Sequence, residues 1–185
     1  AFLTSDGVHL LNDSLQTVNH KISAFIGIRN GITSKQGLEH LIKLGIETYA
    51  VDTGSSRFIF HPKACISVNS YKAISIVGSA NLTYGGLVNN LESSSILELD
   101  LVSNSEDKQY TKNFISIFET LKTDFPKNVL KVSSQKTVEK LFEEGKLVDE
   151  AEPLERILNI GENKKNDEVT PVMSITREKL RLPSK

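Results

Sequence analysis

Four side chains in this 185-residue chain have types and spacing suited to chemistry at phosphorus. They are His61 and Lys63 in His61-Pro62-Lys63, and Ser79 and Asn81 in Gly78-Ser79-Ala80-Asn81. Cleaving a phosphodiester without a metal ion needs a nucleophile that attacks phosphorus. It needs positive charge or hydrogen-bond donors for the non-bridging oxygens, and an acid that protonates the leaving oxygen. Neutral imidazole is a competent nucleophile. Lysine brings a point charge on a flexible stem. Serine and asparagine bring neutral donors that can be aimed at charge developing in the transition state. Taken singly, His61 is more often a structural histidine, Lys63 a solvated lysine and the Gly78 run a turn. The order and spacing together carry the reading.

The surrounding elements must bring the two motifs together. Phe58-Ile59-Phe60 leads into His61, and Ala64 to Val68 continues as a strand, so alternation puts His61 and Lys63 on one face. Asn69-Ser70 is a turn, and Ala73 to Val77 is the return strand of a hairpin that delivers Asn81 next to His61. Gly78 is expected to let the chain turn sharply and approach a ligand. Upstream, Val8, Leu11, Leu15 and Val18 predict a helix over residues 8–19, and Ile22 to Ile28 a strand covered on both sides. Ser34 caps a helix from Lys35 to Leu44 that Gly45 ends, and Ile46 to Asp52 is a strand. This order is a βαβ unit with parallel pairing. Downstream, Ser95 to Val102 reads as a strand, residues 107–122 as a helix with Phe114, Ile117, Phe118 and Leu121 on one face, and residues 134–143 as another helix.

The paired motifs resemble those of the phospholipase D superfamily, whose hallmark is HxK followed by GSxN. They are closer to its nuclease branch, the metal-independent restriction endonucleases with a single motif copy. In that branch an acidic residue follows the GSxN, and here Glu92 stands eleven residues after Asn81. The aspartate that the wider superfamily places five residues after the lysine is Val68 in this chain. The resemblance implies that His61 forms a phosphohistidine and that Lys63 and Asn81 bind the phosphate with support from Ser79. It further implies that Glu92 orients and polarises a partner imidazole. One motif copy supplies one histidine, whereas attack and leaving-group protonation need two. A homodimer with the active centre on its two-fold axis is therefore expected, its two histidines titrating as a coupled pair.

Composition sets limits. The net charge of −1 and pI near 6.5 exclude a broadly basic nucleic-acid binder, so positive charge must be local or recognition must lie elsewhere. No apolar run is long enough to span a bilayer and no signal segment opens the chain, so a cytoplasmic protein without a membrane partner is expected. The lone Cys65 fits a reducing compartment and reads as a small core residue. No HExxH, calcium-loop or Walker pattern is present, so neither metal nor cofactor is expected. His9, His20 and His40 read as solvated or structural, Thr83 as a weak phosphate or capping candidate, and Tyr84-Gly85-Gly86 as a flexible loop.

The expected fold is α/β: a mixed, mostly parallel sheet flanked by helices on both faces, as in phospholipase D-like nucleases. Residues 1–145 read as the catalytic domain. Residues 146–185, acidic and then basic from Arg177, read as a linker or arm leading to a missing recognition domain. The expected activity is endonucleolytic cleavage of DNA, with RNA also open, in a restriction or defence enzyme assisted by a separate recognition domain or an ATP-driven partner. A phospholipid hydrolase or transferase, and a catalytically silent nucleic-acid-binding module, are the alternatives.

Overall fold

A computed structural model describes residues 1–55 and 57–151. It holds two three-stranded sheets with helices packed on them. The first sheet has the order β1-β2-β6, formed by β1 (Ser23–Gly27), β2 (Glu47–Val51) and β6 (Val129–Val132). The second has the order β3-β4-β5, formed by β3 (Ala64–Val68), β4 (Lys72–Gly78) and β5 (Ser94–Asp100). The expected βαβ unit is present: β1 and β2 pair in parallel, Ser23 opposite Glu47, with α3 (Lys35–Lys43) between them in the chain.

The expected predominance of parallel pairing is not what the described strands show. β2–β6, β3–β4 and β4–β5 are all antiparallel. The reason lies in the connections. Residues 69–71 are too few for a crossover and close as a hairpin turn, with the Asn69 amide donating to the Lys72 carbonyl at 3.0 Å.

Two helices are built to the same local plan. Ser34 caps α3 by accepting from the Gly37 amide at 2.9 Å, a contact worth about 1 kcal/mol. Leu38 and Leu41 are buried, Gly45 sits at φ 78°, and the Ile46 amide donates back to the Leu41 carbonyl. Ser134, Val138, Leu141, Gly145 and Lys146 repeat that plan in α5 (Gln135–Glu143). Both helices bury their leucines with Ile26, Ala50 and Val132 of the first sheet and with Ile28 just past β1. A smaller cluster, Tyr49, Val51 and Val129, packs with Phe25, Phe60, Leu121 and Phe125. Leu121 lies near the end of α4 (Ser105–Asp124), which Asn104 caps.

The helix expected over residues 8–19 is instead α1 (Ser5–Leu10), α2 (Asn12–Gln16) and a 3₁₀ turn at Asn19–Lys21. Only Gly7 and Val8 of these helices are buried; past Leu10 only Leu15 packs partly against the core, while Leu11 and Val18 stay exposed. The start of α1 is set by a tertiary contact, because a Cβ on Gly7 would lie 2.3 Å from the Leu82 carbonyl oxygen. β6 escapes the sequence pattern because four residues are too short to show a period.

The ends of β1 and β2 are clamped by charge. Asp52, 5% exposed, accepts from Arg29 Nε at Oδ1 (2.9 Å) and from Nη2 at Oδ2 (3.0 Å), and Lys146 Nζ lies 3.1 Å from that same Oδ2. Arg29 has φ 60°, a conformation that costs a non-glycine residue about 1 kcal/mol or more, and this clamp helps hold it. Burial alone would raise the Asp52 pKa, but Arg29, the Gly54 amide and Lys146 outweigh it and hold the carboxyl below its ordinary 3.8. The contribution to stability is therefore complete above pH 3.8 and is lost as the pH falls through the depressed value. Asp52→Asn removes the negative charge that Arg29 and Lys146 share, while Lys146 keeps Glu144 at 2.8 Å, and is expected to cost about 2 kcal/mol at pH 7. Urea unfolding of the variant at pH 7 and pH 3 checks this, and the cost should shrink at the lower pH.

The chain past Gly145 stays on the body as far as it is described. The Val148 amide donates to the Thr33 carbonyl at 3.0 Å, and Lys35 pairs with Asp149 at 2.7 Å. Residues 152–185, including the basic run from Arg177, lie outside the described residues. No helix among the described residues is long and apolar enough to cross a membrane.

Candidate functional site

The structure brings His61, Lys63 and Asn81 together. His61 and Lys63 lie in the irregular segment just before β3 rather than in the strand itself. The Gly78 amide donates to the Lys63 carbonyl at 3.0 Å and so ties this segment to the end of β4. The two side chains still share a side, with Lys63 Nζ 3.3 Å from His61 Nδ1. His61 Nε2 is buried and makes no hydrogen bond among the described residues. Burial and then the Lys63 charge push the His61 pKa below its ordinary 6.5, while the nearby Asn81 side chain opposes the shift. The ring is thus biased toward the neutral form that a nucleophile requires.

Lys63→Met removes the like charge, so the His61 ring is expected to titrate at higher pH than in the unaltered chain. Ring-proton shifts measured by NMR across the titration check this. A midpoint that stays or falls would mean that the ammonium does not act on the ring.

Ser79 and Glu92 form a second pair beside the first. The Ser79 hydroxyl donates to Glu92 Oε2 and accepts from the Ser93 amide at 3.1 Å. Asn90 donates to Glu92 Oε1 at 3.1 Å. The Ser79 hydroxyl, Asn90 and the Lys63 charge hold the Glu92 carboxyl below the usual carboxylate range, so it stays ionised. Ser79 is therefore engaged by Glu92 and the start of β5 rather than free to meet a phosphate. Neither Ser79 nor Glu92 hydrogen-bonds to His61 within this chain, among the described residues.

Several surrounding residues do something other than expected. Gly78 does not turn the chain. It ends β4, where a Cβ would lie 2.1 Å from Ser94 Oγ, so glycine is required by the close passage of β5. Tyr84-Gly85-Gly86 is not a loose loop but enters a π-helical turn over Gly85–Asn89. Gly86 is buried there, and a Cβ would lie 2.7 Å from the Asn81 amide nitrogen. The Thr83 hydroxyl accepts from the Gly86 amide at 3.1 Å and so holds this turn. Cys65 is exposed rather than in the core. The reason is its register: it faces outward from the second sheet with its neighbours Ile76 and Ile96, the latter 63% exposed. His40 Nε2 donates weakly to Asn12 Oδ1, 3.4 Å away, and lies near His9, both far along the chain from the motifs.

Phe2 is the site neighbour that the motif pattern does not contain. Its buried ring stacks on His61, centroids 4.0 Å apart and planes at 14°. Its amide donates to Asn81 Oδ1 at 3.2 Å. Leu3 bridges to Leu82 in parallel, so the first four residues run beside the Asn81 segment. A phenylalanine outside any motif gives no chemical signal, and only the tertiary pairing places it there.

An apolar cavity of about 460 Å³ opens beside His61, lined by Phe58, Phe60, Pro62, Phe114, Ile117 and Phe118 among others. The α4 face expected from the sequence is thus turned toward the segment that carries His61.

A comparison with curated proteins finds no match. A family model described as "Cardiolipin synthase, PLD-like domain" matches residues 13–121, a span that contains His61, Lys63, Ser79, Asn81 and Glu92. With more than half of its length in that match and a mixed α/β fold compatible with it, the chain belongs to the phospholipase D-like domain family, whose general chemistry is that of phosphodiesterases.

Proposed function

We propose that this chain is the catalytic part of a metal-independent endonuclease that cleaves DNA through a covalent phosphohistidine. The observation that carries the reading is the pair formed by His61 Nδ1 and Lys63 Nζ, 3.3 Å apart, with Asn81 beside it and the ring biased toward neutrality. An entering phosphate accepts N–H bonds from Lys63 in place of the imidazole. The ring is then uncommitted and attacks phosphorus, and the P–O bond to the leaving sugar oxygen breaks. That oxygen takes its proton from the imidazolium of His61 of the partner subunit. Water then attacks the phosphohistidine, giving its proton to the same partner ring, and both histidines return to their starting states. Lys63 and Asn81 meet the charge on the non-bridging oxygens. Ionised Glu92, fixed by Ser79, faces the imidazolium side of the pair across the two-fold axis.

The homodimer is part of this reading because one chain holds one such histidine. An open edge supports it. Among the described residues β5 is an outer strand of its sheet and exposes Ile96 and Leu97, and Leu91 next to Glu92 is fully exposed. Unpaired apolar edges of this kind invite a second chain. Residues 1–145, with residues 146–149 docked on them, form the catalytic unit of the proposal, and the chain beyond leads toward a separate recognition domain or an ATP-driven partner. The setting is a cytoplasmic restriction or defence system. Near-neutral charge fits recognition supplied from outside this unit.

The apolar cavity beside His61 favours a second reading, a phospholipid hydrolase or transferase with an acyl chain held against Phe60 and Phe118. Parallel incubations with supercoiled plasmid, a structured RNA and phosphatidylcholine vesicles, all in excess EDTA, separate these readings. Plasmid nicking undiminished by EDTA is expected. Choline release without nicking would establish the lipid enzyme, RNA cleavage alone would change the substrate, and binding without any cleavage would leave a silent module. Loss of nicking on chelation, restored by magnesium, would remove the phosphohistidine mechanism.

A further inference from the structure

We infer that Phe2 is a positioning residue of the site, one that sets the orientation of both the His61 ring and the Asn81 amide. The inference rests on the proposed phosphohistidine reading and adds a residue that neither motif contains. Three contacts converge on this one residue. Its ring lies parallel to the imidazole, 4.0 Å between centroids and 14° between planes, which leaves the imidazole one packed face. Lys63 Nζ lies 6.0 Å from the same ring centroid, so the aromatic face also bounds the place of the cation. Its amide donates to Asn81 Oδ1 at 3.2 Å. A backbone N–H can be met only by the oxygen of a side-chain amide, so this bond fixes which way Asn81 faces. The NH₂ group of Asn81 is then left to donate toward an anion.

The two functions are separable. The hold on Asn81 comes from the Phe2 backbone and is kept by the pairing of residues 2–4 with Leu82. The hold on His61 comes from the side chain alone. Substituting the side chain therefore isolates the effect on the imidazole. An attacking group displaced by a fraction of an ångström or free to rotate loses rate steeply, whereas phosphate binding by Lys63 and Asn81 is largely retained.

The test uses the full chain with two substitutions, Phe2→Leu, which keeps apolar bulk without a ring, and Phe2→Tyr, which keeps the ring. Phe2→Leu is expected to lower kcat for plasmid nicking about tenfold or more with KM changed less than about threefold, and Phe2→Tyr to restore kcat to within about threefold of the unaltered chain. In parallel, the His61 side-chain couplings by NMR should report one χ1 rotamer in the unaltered chain and in Phe2→Tyr, and averaging in Phe2→Leu. A Phe2→Leu protein with unchanged kcat, or a Phe2→Tyr protein as impaired as Phe2→Leu, would overturn the role of Phe2. Should Phe2→Leu fail to fold, Phe2→Tyr and Phe2→Trp carry the same kinetic comparison, and a folded ring-bearing variant with kcat reduced tenfold overturns the role. If the unaltered chain nicks nothing, the nuclease reading fails by itself. The rotamer measurement then still decides the inference, since a single rotamer in Phe2→Leu would refute it and averaging would support it.

Discussion

His61→Ala is expected to reduce cleavage by roughly 10⁴-fold or more while leaving the fold intact. In the proposed mechanism the imidazole forms the covalent bond to phosphorus, so its removal deletes the reaction path rather than weakening it. The surroundings predict that the fold survives. His61 lies in an irregular segment before β3, and its contacts are with Phe2, Lys63 and Asn81 rather than with the leucine and isoleucine core of α3, α5 and the first sheet. Thermal unfolding should shift little. Nicking of supercoiled plasmid measured beside it separates the two effects, and a variant that is folded yet cuts within tenfold of the unaltered chain would exclude His61 as nucleophile.

The second large effect concerns mixed dimers. If attack and leaving-group protonation are divided between two copies of His61, a dimer with one His61→Ala subunit lacks either the nucleophile or the acid in every orientation. Such hybrids are expected to hold only a few per cent of the activity of the unaltered dimer. Co-expression of the two chains with different affinity tags, followed by tandem purification, isolates them. Half of the unaltered activity per hybrid would show that each subunit works alone. The coupling also shapes the pH dependence, because one ring must be neutral while the other is charged. Activity should fall in both acid and alkali.

Much of the frame that carries these groups was legible in the sequence. Ser34 followed by Leu38, Leu41 and Gly45 announced a capped helix with a glycine stop, and the structure closes it that way. The Asn69 turn and the alternation on either side announced the β3–β4 hairpin. Those signals are local: each is decided by residues within a few positions of one another. What the sequence withheld depends on distant contacts. Gly78 looked like a turn residue and is a packing residue, because Ser94, sixteen residues further along the chain, sits against it in space. Cys65 looked like core until the register put it on the outward face of the second sheet. The run from Val8 to Val18 has helical spacing, but of its second half only Leu15 packs on the core, and one partly buried residue does not sustain a continuous helix.

The site shows the same division. His61, Lys63, Ser79 and Asn81 stood out as candidates because chemistry restricts residue type, and Glu92 because the resemblance points to an acid at its place. Their arrangement could be read only in part. The stacking of Phe2 on His61 joins segments far apart in the chain, while the engagement of Ser79 by Glu92 and the seat of Gly86 on Asn81 depend on how the segment after β4 coils back on itself.

The central claim is a covalent bond between one imidazole and the substrate phosphorus. Single-turnover cleavage of ³²P-labelled DNA in excess EDTA, quenched in alkali and followed by peptide mapping, tests it most directly. The account predicts transient, acid-labile label on His61, absent from His61→Ala. Cleavage at full rate with no label on any histidine, and with inversion of configuration at phosphorus, would contradict it.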